Sequence, residues 1–231
     1  TDESTDTYDT IDWLIKNVDN NNGNVGTWGI SYPGHYAAMS LLSDHPALKA
    51  ASPQAPIGDF YFDDFHHNGA YLLSYWIATS VFGYDKEGPQ KEAWYQVPDI
   101  GTKDAYQFFL DIGPLSNLDK YYGEDNVFWQ QLKDHPNYDE FWQERGLVQH
   151  MKDVKPAVLT VGGLFDAEDL YGPFEIYKSL ENNSDNFNAM VFGPWSHGDW
   201  ARLKERQAVG NVYFGDDLSE NFQVNYETKF F

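Results

Sequence analysis

Gly29-Ile30-Ser31-Tyr32-Pro33-Gly34 joins a short apolar run, residues 24–28, to a helix-forming stretch, residues 35–42. Strand, tight turn and helix in that order stand a serine hydroxyl at a helix N-terminus, where the N–H of the next residue faces any charge developing nearby. The turn is cramped, so small residues flank the serine. The usual spacing is G-x-S-x-G; here Pro33 takes the second glycine position and Gly34 follows one residue later. Proline is sterically acceptable there, because an N–H in the first helical turn has no partner within the helix. Two readings stay open at this point: Ser31 as a nucleophile, and Ser31 as a turn serine capping the helix.

Outward from the turn, the pattern is one of alternating strands and helices. Upstream, Tyr8, Ile11, Ile15 and Val18 recur at helical spacing, and Asn20 to Gly23 end that helix. Downstream, residues 47–55 read as a buried strand. Strand signals resume at 156–161 and 187–192, with a helix between them at 173–180. Such alternation predicts an α/β fold on a mostly parallel sheet. Residues 56–152 differ: they are rich in Trp, Tyr, Phe, Asp and His, with helical patches at 104–110 and 138–147, and read as an inserted, mainly helical cap. The expected organisation is therefore core 1–55, cap 56–152 and core 153–231, with a closing helix over 220–231. Both ends read as cuts through a larger domain, so we expect a piece of a longer chain.

Composition narrows the function. Fifteen basic and 36 acidic residues leave a net charge of -21, which repels nucleic acid and anionic membranes. Aromatics make up 17% of the 231 residues, as in a well-filled core with an aromatic pocket. There is no cysteine, hence no disulfide, thiolate nucleophile or cysteine metal site. That absence suits the cytoplasm and a bacterial export route alike; we place an extracellular or periplasmic setting slightly ahead. No apolar run reaches the length of a membrane span. No secretory leader pattern is visible.

The partners a serine nucleophile needs follow in the order serine, acid, histidine that this kind of turn requires. Asp166 lies just past the strand at 156–161, and His197 just past the strand at 187–192. Both loops leave C-terminal strand ends, where open parallel sheets build their sites. In the expected roles, Ser31 attacks an acyl carbonyl, His197 accepts its proton, Asp166 holds the imidazole, and the Tyr32 N–H stabilises the oxyanion. Glu168 and Asp169 rival Asp166 for the acid role.

On these residues the chain resembles the cocaine-esterase-like (CocE/NonD) α/β-hydrolases. Their relatives include α-amino-acid ester hydrolases, glutaryl-7-aminocephalosporanic acid acylases and X-Pro dipeptidyl-peptidases. The matching stretches are GTWGISYPGHYAA, HPALKAASPQAPIGDFYFDDFHHNGA, HPNYDEFWQE, VGGLFDAEDLYGP and GPWSHGDW, spread from Thr27 to Trp200. The resemblance implies the elbow form with Pro33, the triad Ser31–Asp166–His197, and a helical cap. It also implies a C-terminal jelly-roll and an upstream tyrosine hydroxyl as second oxyanion donor, neither of which can be matched here. In the amino-acid ester hydrolases an acidic cluster holds the substrate's α-ammonium group. Candidates are Asp63, Asp64, Asp139, Glu140, Glu168 and Asp169, with helix capping or local pairing the alternative for each.

Of the remaining residues, Trp28, Trp195 and Tyr32 are expected to line the acyl pocket or to pack in the core. Adjacent His66 and His67 point different ways and make a poor metal pair, so no metal or other cofactor is expected. His35 is expected to be structural. The sequon at Asn182-Asn183-Ser184 is read as idle. The expected substrate is a small ester or amide, of an amino acid, peptide or β-lactam type, and self-association into an oligomer is compatible. The competing expectation is a non-catalytic fragment of the hydrolase fold that serves as a binding module.

Overall fold

The computed structural model describes residues 3–83, 88–89, 91, 95, 97–202 and 206–231. It divides into two compact units, Thr1–Asp63 with Arg145–Phe231, and Asp64–Glu144. The chain enters the first unit through helix α1 (Glu3–Asn17), strand β1 (Val25–Ile30), helix α2 (Tyr32–Ser40) and strand β2 (Leu48–Gln54). The second unit holds a small hairpin, β3 (His66–His67) with β4 (Ala70–Tyr71), and then short helices. These are α3 (Trp76–Phe82), α4 (Ala105–Ile112), α5 (Asp119–Tyr122), α6 (Val127–Asp134) and α7 (Glu140–Gln143). The first unit resumes with β5 (Ala157–Gly163), α8 (Tyr171–Asn183), β6 (Asn188–Gly193) and α9 (Asp199–Arg202). It closes with the hairpin β7 (Arg206–Val209) and β8 (Val212–Asp216), then α10 (Leu218–Phe222) and α11 (Thr228–Phe230).

The main sheet has the order β1-β2-β5-β6, and every pairing in it is parallel. Its register aligns the C-terminal ends. Ile30 pairs with Gln54, Gln54 with Val161, and Gly163 with Gly193. The turn after β1 and the loops after β5 and β6 therefore leave the same edge of the sheet.

Strand alternation sends successive side chains to opposite faces, each covered by its own apolar cluster. Val158 joins Ala38, Leu41, Met151, Ile176 and Leu180 on one face. Its neighbour Leu159 joins Ala55, Val161, Trp195, Trp200 and Phe222 on the other. Each such fully buried aliphatic side chain contributes about 1.5–3 kcal/mol. Ile11 of α1 closes a smaller cluster with Ala47 and Leu48. The carbonyls of Ile15 in α1 and of Val18 just past its end accept from the Asn21 amide, so the asparagine run ends the helix chemically as well as sterically.

Two expectations are corrected, and one element is added. The second unit is narrower than 56–152 at both ends. Asp63 accepts from the N–H groups of Gly58 and Gly172, the Leu147 N–H donates to Gly58 O, and Leu147 and Met151 pack under α8, so these flanks belong to the sheet-bearing unit. The helix read over 138–147 shrinks to Glu140–Gln143, started by the Asp139 side chain. The hairpin β7–β8 was not anticipated, although Gly210-Asn211 between valines is the kind of two-residue turn that joins antiparallel strands. Among the described residues, no helix is long and apolar enough to cross a membrane.

Candidate active site

Ser31 stands between β1 and α2 with φ 68° and ψ -126°, a backbone conformation that a non-glycine residue rarely holds. Its neighbours sustain it. The Ser31 N–H donates to Gln54 O at 3.0 Å, and Ser31 O accepts from the His35 N–H at 2.9 Å. A Cβ on Gly29 would fall 2.3 Å from Pro33 O, and one on Gly34 would fall 2.3 Å from Gln54 O. Both positions must therefore be glycine, which explains why the second one is displaced past Pro33: Gly34 is the residue that meets the end of β2. The Ser31 side chain makes no cap hydrogen bond, so the capping role is not taken up. Tyr32 is the first residue of α2, and first-turn N–H groups point out of the helix end. His35 is buried and its Nδ1 lies 2.9 Å from Ile57 O; desolvation holds its pKa below the ordinary value, which suits a neutral structural ring.

Three carboxylates surround the His197 imidazole, each at a different place. Asp166 Oδ2 lies 2.8 Å from Nδ1. Its Oδ1 accepts from the N–H groups of Glu168 (2.9 Å) and Asp169 (3.0 Å), so the loop itself holds the carboxylate. Glu168 Oε2 lies 3.6 Å from Nε2, and Asp169 Oδ2 lies 3.9 Å from Nδ1. The Asp166 side chain is wholly buried, whereas Glu168 is 45% exposed. Burial pushes the Asp166 carboxyl up, but the bond and charge of His197 with the two loop N–H groups outweigh it, and its pKa lies below the ordinary value. Burial likewise pushes His197 down, yet its bond to Asp166 and the charges of Asp166 and Glu168 leave it above 6.5. Ser31 Oγ and His197 Nε2 are not hydrogen-bonded to each other in this structure. Such bonds commonly tighten only when substrate is bound.

The sequence profile of the X-Pro dipeptidyl-peptidase (S15 family) matches residues 1–199. The chain belongs to that family. Cocaine esterase of Rhodococcus sp. (strain MB1 Bresler) is 25% identical over 208 residues, covering 86% of this chain and 35% of the esterase. Among solved structures, an α-amino acid ester hydrolase superposes with a TM-score of 0.87 at 32% identity, over 100% of this chain and 37% of its own. An aminopeptidase from a marine sediment archaeon, Thaumarchaeota archaeon, superposes with a TM-score of 0.86 at 36% identity, over 100% of this chain and 38% of its own. The chain thus spans little more than a third of the length of these relatives.

On this S15 frame the other residues read as pocket or substrate contacts are placed as follows. Asp63 is buried and accepts from the N–H groups of Gly58 (2.7 Å), Asp59 (3.2 Å) and Gly172 (2.8 Å), so it caps α8 from a distant segment. Trp195 is packed in the core against Trp200 and Phe222. Trp28 is 59% exposed on β1 and lines a cavity of about 630 Å³ with residues of α1 and α2. In the other unit, Asp64 is buried and accepts from Tyr75 Oη at 2.9 Å. Asp139 caps α7 and lies 2.7 Å from His135 Nδ1, whose hydrogen bond holds its carboxyl below the ordinary range. Glu140 sits in the first turn of α7, and His66 and His67 form β3. Among the described residues, no group of three His, Asp or Glu side chains is placed to hold a metal ion. Of the acidic candidates, Glu168 and Asp169 alone are brought to the imidazole among the described residues. The sequence reading passed over Gln54, whose backbone carbonyl holds the Ser31 turn.

Proposed function

We propose that the protein carrying this chain is a serine hydrolase that cleaves ester or amide bonds through an acyl-enzyme. The observation that carries the reading is the 2.8 Å contact between Asp166 and His197, on loops that leave the same sheet edge as the strained Ser31 turn. Ser31 Oγ attacks the carbonyl carbon while His197 Nε2 accepts its proton. The tetrahedral oxyanion accepts from the Tyr32 N–H. As the intermediate collapses, His197 returns the proton to the departing alcohol or amine. Water then attacks the acyl-enzyme by the same route, with His197 again the base. Asp166 keeps the imidazole in the tautomer with Nδ1–H, so that Nε2 is the atom presented for proton transfer.

The substrate class follows from charge. With a net charge of -21 overall and the Glu168 carboxylate 3.6 Å from Nε2, the site favours acyl groups that carry a cationic amine, as in amino-acid esters and peptides with a free N-terminus. The names of two solved relatives, an α-amino acid ester hydrolase and an aminopeptidase, support the same class. The test is fluorophosphonate labelling of the full-length protein, followed by peptide mapping. An adduct on Ser31 that is lost in Ser31→Ala is expected; a full-length protein that stays unlabelled and inactive overturns the reading.

A second reading concerns these 231 residues by themselves. With Tyr32 as the only oxyanion donor the reading names, this portion alone is expected to turn over p-nitrophenyl esters weakly or not at all. Strong turnover by it, abolished in Ser31→Ala, overturns that reading.

A further inference from the structure

We propose that Gln54, a wholly buried residue at the end of β2, is a positioning residue that ties the nucleophile turn to the histidine loop. The inference rests on the hydrolase reading above. Its backbone carbonyl accepts the Ser31 N–H at 3.0 Å, and the same oxygen is the atom Gly34 packs against. Its side chain reaches the other half of the site. Gln54 Oε1 accepts from Trp200 Nε1 at 2.8 Å, and Trp200 belongs to α9, which begins two residues after His197. Gln54 Nε2 donates to Ser52 Oγ at 3.1 Å and to Glu227 Oε1 at 2.5 Å. An indole N–H can only donate, so the oxygen of the amide must face Trp200 and the nitrogen must face Ser52 and Glu227.

Each partner is itself anchored. Trp200 is wholly buried between Trp195 and the carbonyl contact that Gln223 makes with its backbone at 2.6 Å. Ser52 Oγ donates to Leu159 O at 2.8 Å, across to β5. The residue after Gln54 is also constrained: Ala55 has φ 37° and is fully buried, with its N–H donating to Val161 O at 2.8 Å. Gln54 therefore joins the Ser31 segment through its backbone carbonyl and the Trp200 and Glu227 segments through its side-chain amide, with Ser52 extending the link to Leu159, and loss of the amide would leave the buried Trp200 indole donor without its acceptor. Small displacements between nucleophile and base are what an acyl-transfer site tolerates least. Gln54 touches neither substrate nor reacting atoms, so its effect is on rate through geometry.

The experiment uses the full-length protein with Gln54→Met, which keeps the side-chain length and removes both hydrogen-bonding ends, and Trp200→Phe, which removes the donor and keeps most of the ring. Active sites are counted by fluorophosphonate titration, so that rates refer to folded enzyme. Expected are falls of about tenfold or more in kcat and in the labelling rate of Ser31, with KM within about threefold of the parent. Gln54→Glu is expected to be impaired, because two carboxylates then face each other. Adding Glu227→Gln exchanges donor and acceptor and is expected to restore most of the lost rate. A purely structural role would lower melting temperature or the fraction of active sites and leave kcat per site within twofold of the parent, and that result overturns the proposal. If Gln54→Met does not fold, Trp200→Phe and the exchange pair decide the matter alone. An unlabelled parent overturns the hydrolase reading itself, whereas a labelled parent with unaltered variants overturns only the role of Gln54.

Discussion

Asp166 Oδ2 and His197 Nδ1 are 2.8 Å apart across 31 residues of sequence, and the same carboxylate is held from behind by the N–H groups of Glu168 and Asp169. The loop after β5 thus folds around its own acid before that acid meets the histidine. The pair sets the direction of both pKa shifts, and a pH dependence follows. His197 must be neutral to accept a proton, and its pKa lies above 6.5, so kcat/KM is expected to rise with pH through an inflection above 6.5. In Asp166→Asn the inflection is expected to move down and kcat to fall by about 10⁴-fold. A pH–rate profile of parent and variant checks both.

The same shifts bear on stability, with opposite signs at the two ends. His197 is raised when folded, so its contribution is full below pH 6.5 and is lost as pH rises through the folded value. Asp166 is lowered when folded, so its contribution is present above pH 3.8 and is lost as pH falls through the folded value. Urea melts of parent and His197→Ala are expected to differ most between these limits and to converge below them. Equal differences at pH 3 and pH 6 would contradict the linkage.

Gly34→Ala places a Cβ 2.3 Å from Gln54 O, a backbone atom that cannot swing aside. The expected loss is about 1–3 kcal/mol of unfolding free energy, measured by chemical denaturation. It is expected to be accompanied by slower labelling of Ser31, because the added methyl wedges the turn away from β2.

Asp63→Ala removes the acceptor for three backbone N–H groups, those of Gly58, Asp59 and Gly172. An expected cost of about 1–3 kcal/mol in stability distinguishes this role from substrate binding. KM for an amino-acid ester is expected to stay near that of the parent when rates are normalised to titrated sites. A large rise in KM with unchanged stability would reverse the assignment.

Glu168→Gln removes the half-exposed carboxylate that faces Nε2. KM for an amino-acid ester is expected to rise about two- to fivefold, with little change for a neutral ester of the same leaving group. Because the Glu168 charge helps raise His197, the inflection in the pH–rate profile is also expected to move down.

How much of this was legible beforehand depends on how far apart the interacting groups lie. The four main strands were readable because short apolar runs ending in glycine or a loop are a local signal, and each was found within a few residues of its expected place. The order of Ser31, Asp166 and His197 was readable because each follows a strand, and parallel strands deliver their following loops to one edge. The roles of the other acids were not. Asp63 and Asp166 look alike in sequence, yet one caps α8 through Gly172 and the other holds an imidazole. Trp195 sits two residues before the histidine, where pocket lining and core packing are both open to the sequence; packing against Trp200 and Phe222 places it in the core.

The sequence by itself determined the strand-turn-helix at Ser31, the parallel alternation and the order of Ser31, Asp166 and His197 after their strands, since these depend on periodicity and on neighbours along the chain. Only the tertiary structure decided which carboxylate meets which imidazole nitrogen, which glycine must yield to a carbonyl, and that Gln54 bonds both the Ser31 N–H and the Trp200 indole. Those outcomes rest on partners well separated along the chain, 31 residues for Asp166 and His197 and 146 for Gln54 and Trp200, and no local pattern encodes a distance of 2.8 Å between them.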